Sequence, residues 1–314
     1  MATMRLTAID YTAICQGQEL ETLDRACREW GFFELTNHPI SADLCAAMLH
    51  QMEHFFALPI ATRQACERTA ENHWGFYDRE LTKNVQDWKE LFDVGPEFGA
   101  CVPQWPAGEP VFRQTTESFY AGCESLAISL VRCLGATLGA DGDALAKGFD
   151  DHTSYLRLNH YPLCSNPAPA DTPTGPPVGH LGISHHSDAG AVTVLLQDGE
   201  AGLQVERDGE WHSIAAERGS IIINIGDVVQ VWSNDRYRAP LHRVLASDTH
   251  TRYSAPFFLN PAFATDYAPL SSTLVNGPPL YRPINWGEFR NGRAAGDYAD
   301  VGEEIQIAHY RNQI

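Results

Sequence analysis

Short β-rich runs separated by turn signals fill the chain from about residue 153 to residue 260, and this stretch most constrains the fold. The runs are Tyr155–Tyr161, Ala191–Leu196, Gly202–Val205, Trp211–Ile214, Ser220–Ile225, His242–Ala246 and Tyr253–Leu259. The third and fourth runs flank Asp208-Gly209, a dipeptide typical of a tight hairpin turn. Many short strands joined by turns are typical of antiparallel sandwiches and jelly rolls. The second half of the chain therefore predicts an antiparallel β core.

The first half of the chain instead has the periodicity of amphipathic helices. Apolar residues recur at helical spacing from Glu19 to Trp30, and again behind Ser41, which is placed to cap a helix. A longer helix is predicted from Phe112 to Gly139. Residues 57–110 carry Pro, Gly and Trp punctuation and predict irregular structure. Helices followed by strands indicate the α+β class.

We therefore expect a single domain over all 314 residues. It divides into a mostly helical N-terminal region (1–150), a jelly-roll core (151–265) and a C-terminal region (266–314) with a helix near Trp286. The proline-rich residues 164–180 predict a loop or lid before the core strands that follow.

The composition disfavours several classes of partner and location. A formal net charge of −18 and a pI near 5.0 argue against binding to nucleic acid or anionic membrane surfaces. No apolar run predicts a signal peptide or a transmembrane helix. Eight cysteines without a CxxC pair indicate reduced, buried thiols, so we expect a cytoplasmic protein. Its expected oligomeric state, by default, is a monomer.

A histidine and a carboxylate stand two residues apart at His186-x-Asp188. On an extended chain such residues point to the same side. Two histidines and one carboxylate form the ligand set of non-haem Fe(II) oxygenases, whereas zinc prefers a tetrahedral site. His242 opens a later β-run and is the best-placed third ligand among thirteen histidines. Because chance His-x-Asp pairs are common, the pair alone does not establish a metal site.

Two more pairs have the same spacing on predicted strands. Arg252 and Ser254 follow His242 closely, and an arginine fork with a nearby hydroxyl suits a carboxylate. The alternative is a surface arginine beside a hydroxyl. Asn159 and Tyr161 would also face one way, either into the same cavity or as an ordinary strand end.

A series of ordered motifs adds to these pairs. The motifs are Trp30-Gly31-Phe32-Phe33, Asn37-His38, Phe55-Phe56-x-Leu58-Pro59, Gly202-Leu203-Gln204-Val205, Asp208-Gly209-x-Trp211, Asn224-Ile225-Gly226-Asp227, Gln230-x-Trp232-Ser233-Asn234, His242-Arg243-Val244 and Arg252-x-Ser254. In these motifs the chain resembles the isopenicillin N synthase-like branch of the 2-oxoglutarate and Fe(II)-dependent dioxygenases, which includes plant flavonoid and gibberellin oxidases. The resemblance spans roughly residues 6–290. It departs from the family at Pro39, Ser187 and Ala239, none of which removes a candidate ligand.

The resemblance implies a double-stranded β-helix flanked by helices and an enzyme that uses Fe(II), 2-oxoglutarate and dioxygen, with ascorbate as a candidate reductant. It matches the iron ligands to His186, Asp188 and His242, and the residues at the co-substrate to Arg252, Ser254, Asn159 and Tyr161. It implies oxidation of an unactivated C–H bond of a small molecule, a secondary metabolite by expectation, with release of succinate and carbon dioxide. Hydroxylation is the default outcome, and desaturation or cyclisation are variants.

Candidate substrate residues follow from the same resemblance, more weakly. They are Arg157, Phe92, Phe258 and Asn260, and Arg157 could either hold a substrate carboxylate or brace its strand. Further aromatic residues near the expected pocket suit an apolar or ring-bearing substrate; they are Trp74, Phe76, Tyr77 and Trp88.

Two other functions remain open from the residues alone. An oxidase of the same fold that does not consume 2-oxoglutarate also carries an Arg-x-Ser pair, and release of succinate would separate the two. A non-enzymatic metal-binding module is the second, although such a module needs no carboxylate clamp.

Overall fold

Two sheets, mostly antiparallel, face each other and take most of their strands from the second half of the chain. The strands are β1 (Thr3–Met4), β2 (Ala8–Asp10), β3 (Phe32–Thr36), β4 (Gly75–Tyr77), β5 (Leu81–Thr82), β6 (Val85–Gln86), β7 (Glu90–Val94), β8 (Tyr155–Tyr161), β9 (Leu181–His186), β10 (Val192–Gln197), β11 (Leu203–Arg207), β12 (Glu210–Ile214), β13 (Ile221–Ile225), β14 (His242–Leu245), β15 (Arg252–Leu259), β16 (Asp266–Tyr267) and β17 (Ile284–Asn285). The larger sheet has the order β2-β3-β13-β10-β15-β8-β7-β4, and the smaller β1-β12-β11-β14-β9. Non-sequential neighbours in both sheets give the crossed connections of a jelly roll.

The computed structural model describes residues 3–82, 84–174, 178–294 and 305–313, without the side chains of Asn276 and Ala294. Its α-helices are α1 (Tyr11–Cys15), α2 (Leu20–Glu29), α3 (Ala42–Ala57), α4 (Ile60–Gln64), α5 (Pro110–Thr137), α6 (Gly142–Ala146), α7 (Asp227–Trp232) and α8 (Trp286–Ala294). Short 3₁₀ turns are Lys147–Phe149, Ser271–Asn276 and Ile307–Tyr310.

Strict alternation along the strands divides the core into two layers. In β13, Ile221, Ile223 and Ile225 belong to the large cluster that packs against the helices, whereas Ile222 faces the smaller sheet. Successive side chains of a strand point to opposite faces of the sheet. One face of the larger sheet therefore meets helices, and the other faces the interior of the roll, where the polar side chains discussed below lie.

The helical layer is organised by α5, which packs against α2, α3, β10 and β15. Its apolar stripe, which includes Phe119, Leu126, Leu130 and Leu134, is buried. The side chain of Ser41 accepts a hydrogen bond from the backbone N–H of Leu44 and caps α3. Each fully buried leucine of the stripe contributes roughly 2 kcal/mol of hydrophobic stabilisation. By length and composition α5 could also cross a membrane, contrary to the sequence expectation, but half of its apolar window is buried in the protein.

The α+β order and the hairpin at Asp208-Gly209 are confirmed. Both turn residues have positive φ, 55° and 83°, as a two-residue turn between β11 and β12 requires. The prediction of irregular structure for residues 57–110 was wrong, because α4 and β4–β7 lie there. Their two- to five-residue lengths are too short to give a clear period. Helix α7 was also missed.

The proline-rich segment is a loop wherever it is described, with Pro176 and Pro177 outside the described residues. The buried Arg243 donates hydrogen bonds to the carbonyl oxygens of Ala170 and Thr172, which ties this loop to β14. All eight cysteines are free, as expected, but Cys15 is exposed rather than buried.

Candidate active site

The three predicted metal ligands come together at one end of the roll. The Nε2 atom of His186 lies 3.6 Å from Oδ1 of Asp188, and the Nε2 atom of His242 lies 3.7 Å from the same oxygen. One ligand atom from each residue falls within 4.8 Å of the others. His186 ends β9, His242 opens β14, and the two residues are paired across the sheet. His242 is therefore brought next to His186 and Asp188 by the pairing of β14 with β9, and not by closeness in the sequence.

Both imidazoles are oriented by backbone carbonyl groups. The Nδ1 atom of His186 is 2.8 Å from the carbonyl oxygen of Ser184, and the Nδ1 atom of His242 is 3.0 Å from that of Pro240. A carbonyl oxygen only accepts hydrogen bonds, so each Nδ1 carries the proton in the neutral ring. Each Nε2 lone pair is then directed at the centre, as in metal-binding histidines.

The carboxylate is held by one oxygen and open at the other. Oδ2 of Asp188 accepts hydrogen bonds from the Thr193 hydroxyl (2.5 Å) and the Asn224 amide (2.7 Å), which leaves Oδ1 facing the histidines. Burial would raise the pKa of Asp188, but His242 and His186 lower it below its usual value. Burial, with the nearby His242, lowers the pKa of His186 to about 3. One ionised carboxylate beside a neutral imidazole suits a divalent metal ion.

Two glycines let the backbone pack closely behind Asp188. A Cβ on Gly226 would lie 2.8 Å from the carbonyl oxygen of Asp188, and a Cβ on Gly190 would clash with Asn260. The same Asp188 carbonyl oxygen accepts the backbone N–H of Asp227, the first residue of α7. A side chain at Gly226 would force the backbone at Asp188 or Gly190 to move, and one at Gly190 would displace Asn260 or the backbone of Leu259.

The predicted carboxylate clamp lies on the inner face of the larger sheet, in the same cavity. The guanidinium of Arg252 is buried and donates only to neutral oxygens, the Glu200 carbonyl (3.3 Å) and Oε1 of Gln197 (3.4 Å). Its second terminal nitrogen has no hydrogen-bond partner, and among the described residues no carboxylate forms an ion pair with Arg252. A buried cation without an anion is unfavourable unless a ligand supplies the charge.

The remaining predicted clamp residues surround Ser254. Its hydroxyl lies 3.5 Å from the amide nitrogen of Asn159 and 3.4 Å from the hydroxyl of Tyr161, and the sheet pairs Ser254 with Asn159 directly. These are long contacts, and Oδ1 of Asn159 has no partner. Donors and acceptors are thus available beside Arg252.

A cavity of about 160 Å³ joins the triad and the clamp. Its lining includes apolar, aromatic and charged side chains from both sheets and from α8: Phe32, Tyr155, Ile183, Leu195, Leu203, Val244, Pro256, Phe258, Trp286, Glu80, Lys89, Arg157, Arg290 and Arg293. Such a concave, partly apolar site with a few polar groups is typical of small-molecule binding.

The predicted substrate residues have different outcomes. Phe258 and Asn260 line the cavity, and Arg157 does too. The prediction for Phe92 was wrong, because its ring packs edge-on against Phe55 and Phe112 in the helix-side core. Alternation along β7 points it away from the roll. The other aromatic residues taken as pocket candidates do not line the cavity either; they are Trp74, Phe76, Tyr77 and Trp88.

Sequence reasoning missed a group of buried charges beside the cavity. We call it the buried charge cluster; it consists of Arg68, Glu80, Asp87, Lys89, Asp93 and Arg157. Arg157 donates four hydrogen bonds to Glu80 and Asp93, all of 2.7–2.8 Å, so its fork braces the strand. Asp87 also accepts the backbone N–H of Ser184, which ties the cluster to the strand that carries His186. Most members come from residues 57–110, where no strand was predicted.

Two family models match the chain. The 2OG-Fe(II) oxygenase superfamily model matches residues 152–261, which include the triad and the clamp. The model described as non-haem dioxygenase in morphine synthesis N-terminal matches residues 7–111.

Curated relatives agree with these models. The chain is 32% identical to Jasmonate-induced oxygenase 4 of Arabidopsis thaliana over 281 residues, which cover 87% of this chain and 77% of the relative. It is 30% identical to Oxoglutarate-dependent flavonoid 7-O-demethylase 1 of Ocimum basilicum over 283 residues, which cover 87% and 73%.

Solved structures share the fold over nearly the whole chain. A structure of JOX2 in complex with 2OG, Fe and JA superposes with a TM-score of 0.80 at 27% identity, covering 92% of this chain and 85% of that one. A structure of Neurospora crassa T7H in complex with alpha-KG and thymine has a TM-score of 0.77 at 26% identity, covering 92% and 96%. The chain belongs to the 2-oxoglutarate/Fe(II)-dependent dioxygenases, oxidoreductases with a double-stranded β-helix core that use Fe(II), 2-oxoglutarate and dioxygen.

Proposed function

We propose that His186, Asp188 and His242 hold the Fe(II) of this dioxygenase and that Arg252 and Ser254 hold the distal carboxylate of 2-oxoglutarate. The proposal depends mainly on Arg252, which is buried, donates hydrogen bonds only to neutral oxygens among the described residues and has one terminal nitrogen without a partner. Its planar fork matches a carboxylate. The neutral imidazole of His186 and the ionised carboxylate of Asp188 support the metal assignment.

When bound, the iron and 2-oxoglutarate supply the oxidising chemistry, in which the co-substrate loses carbon dioxide and becomes succinate. The chain's own residues orient the components. Asn159 and Tyr161 set the direction of the Ser254 hydroxyl, and Arg252 fixes one end of the co-substrate before the reaction. Thr193 and Asn224 keep one oxygen of Asp188 directed at the metal position.

The substrate we propose is a small secondary metabolite whose apolar, ring-bearing part contacts Phe258, Tyr155 and Trp286, with Asn260 and Arg157 nearby. Relatives described as a flavonoid demethylase and as jasmonate-induced oxygenases support this class. Hydroxylation of a C–H bond is the expected outcome. Free cysteines and the acidic charge support a cytoplasmic protein without nucleic-acid or membrane partners, and we take it as a monomer.

An anaerobic titration tests the assignment of the clamp and the triad. Binding of a 2-oxo acid to Fe(II) through two oxygens produces a weak visible charge-transfer band. We expect the band in the wild type, about a hundredfold more 2-oxoglutarate needed in Arg252→Gln, corresponding to about 2.7 kcal/mol, and no iron binding in Asp188→Ala. Arg207→Gln, at the end of β11, is the matched control and should titrate as the wild type does. An unchanged titration in Arg252→Gln would remove the clamp from the proposal.

A further inference from the structure

One face of helix α8 contributes a positive wall to the cavity. Trp286, Arg290 and Arg293 follow each other at intervals of four and three residues, and all three line the cavity. Such residues share one face of a helix. Phe289 is buried on another side of the helix, which anchors α8 in the core.

The other cations of the cavity already have charge partners or a proposed ligand. Lys89 and Arg157 form ion pairs with carboxylates of the buried charge cluster. Arg252 is the proposed partner of the co-substrate, and Asp188 is a proposed ligand of the metal. Among the residues that the structure describes, Arg290 and Arg293 are therefore the cavity cations that are left without a charge partner or a proposed ligand.

Neither of these two arginines forms an ion pair within the part of the chain that the structure describes. Arg293 donates to neutral oxygens, Oε1 of Gln306 (2.7 Å) and the carbonyl of Ser187 (3.1 Å). The guanidinium of Arg290 lies 5.7 Å from the ring centroid of Tyr155. In a chain of net charge −18, acidic partners are abundant, so two half-buried arginines with only neutral partners beside a cavity are unusual.

Apolar surface lies next to this charge. The ring of Tyr155 packs against Phe258 with 4.8 Å between centroids, and both rings line the cavity with Trp286. The wall thus offers rings for an apolar body and, beside them, a planar fork of N–H donors that suits a carboxylate.

We propose that Arg290 binds a carboxylate of the primary substrate and that Arg293 adds to the positive field, so that the enzyme oxidises an apolar organic acid. This inference rests on the proposed function, because it assigns the cavity beside the metal triad to the substrate. Arg290 carries the larger share, since the fork of Arg293 already donates to Gln306 and Ser187.

Matched acids and amides test the charge preference directly. The probes are 3-phenylpropanoate, 4-phenylbutanoate and 1-naphthylacetate, each with its primary amide, which has nearly the same shape without the charge. Binding is measured by calorimetry under anaerobic conditions to enzyme loaded with Fe(II) and saturating 2-oxoglutarate, so that Arg252 is already occupied. We expect the acids to bind at least tenfold more tightly than their amides in the wild type, and this preference to disappear in Arg290→Gln.

Two further variants complete the experiment. Arg293→Gln should reduce the preference a few-fold, and Arg282→Gln, an exposed arginine that does not line the cavity, should leave it unchanged. Equal affinity of acids and amides, a preference that survives in Arg290→Gln, or no binding of any acid would each overturn the inference.

The charge-transfer band of the same samples separates this inference from the proposed function. A band of normal intensity without an acid preference contradicts only the role of Arg290. Absence of the band in the wild type contradicts the proposed function. The ratio of the affinities for acid and amide still reports on the charge of the cavity in that case, because a binding measurement requires no turnover.

Discussion

Two groups of buried or half-buried cations lie in or beside one cavity and differ in their partners. Arg68, Lys89 and Arg157 each form ion pairs with carboxylates of the buried charge cluster. Arg252 and Arg290 form none among the described residues. Cations with a structural role thus have carboxylate partners in the protein, whereas the cations that we propose bind ligands have none among the described residues.

The physical basis of the comparison is desolvation. Moving a charge out of water is unfavourable by several kcal/mol, and a buried pair compensates for this only when its geometry and remaining hydrogen bonds are good. The buried charge cluster meets this condition with three cations and three carboxylates at 2.7–3.0 Å. Arg252 has no carboxylate partner among the described residues, and the co-substrate that we propose it binds would supply the compensating charge. The two groups should therefore respond in opposite ways to mutation.

The largest effect is expected for Lys89→Met. The change leaves Glu80 and Asp87 buried without one of their cations, so we expect the free energy of unfolding to fall by about 3–5 kcal/mol. Urea denaturation measures it, with Lys147→Met, at an exposed lysine, as the control within about 0.5 kcal/mol of wild type. A loss below about 1 kcal/mol would mean that the cluster is not a structural unit.

A second, smaller effect is a pH dependence of that loss. Burial would raise the pKa of Glu80, but Arg157, Lys89 and Arg68 lower it well below its usual value, so its stabilising effect is present above about pH 4.5 and is lost as the pH falls through the lowered pKa. Asp87 acts in the opposite sense, because burial raises its pKa despite Lys89.

Without Lys89 both carboxyl groups take up protons at higher pH, and protonation relieves the unpaired charge. The difference in free energy of unfolding between the wild type and Lys89→Met should therefore be largest at pH 7 and smaller by about 1–2 kcal/mol at pH 4. This estimate uses about 1.4 kcal/mol for each unit of pKa change. Urea denaturation at the two pH values measures the gap. The same gap at both would show that lost packing, rather than charge, explains the first result.

The smallest effect on stability is expected for Arg252→Met. No carboxylate loses a partner in this variant, and a methionine can fill much of the same space. The free energy of unfolding should therefore stay within about 1 kcal/mol of the wild type. An increase would show directly that the buried charge of Arg252 destabilises the protein without a ligand. Thermal unfolding of the protein without 2-oxoglutarate measures it. A loss comparable to that of Lys89→Met would erase the distinction between the two groups of cations.

Much of the site was predictable because it depends on short spacings. The pairs at 186 and 188, at 252 and 254, and at 159 and 161 each converge as the two-residue spacing suggests, and the structure brings all of them to one cavity. Alternation along a strand is a local property, so these pairs can be recognised without knowledge of the fold. Asn224 stood in a recognised motif, but its hydrogen bond to Asp188 could not be inferred from that motif.

Other residues could not be placed from the sequence. Phe92 was assigned to the pocket, but the register of β7 against β8 turns it into the helix-side core. Glu80 and Lys89 lie in segments too short to give a period, and Arg290 comes from a helix far along the chain from the triad. Their positions in the cavity follow from the pairing of strands and the docking of α8.

The α+β class, the family and the candidate residues of the triad and the clamp could be predicted from the sequence, because periodicity and ordered motifs are local patterns. Which cations lie next to a carboxylate could not be predicted, because it depends on how distant segments pack in the folded protein. Arg157, for example, pairs with Glu80 and Asp93, which lie 77 and 64 positions away along the chain, and no local pattern records such contacts. Which cavity cations lack a carboxylate partner among the described residues is therefore a property of the folded chain.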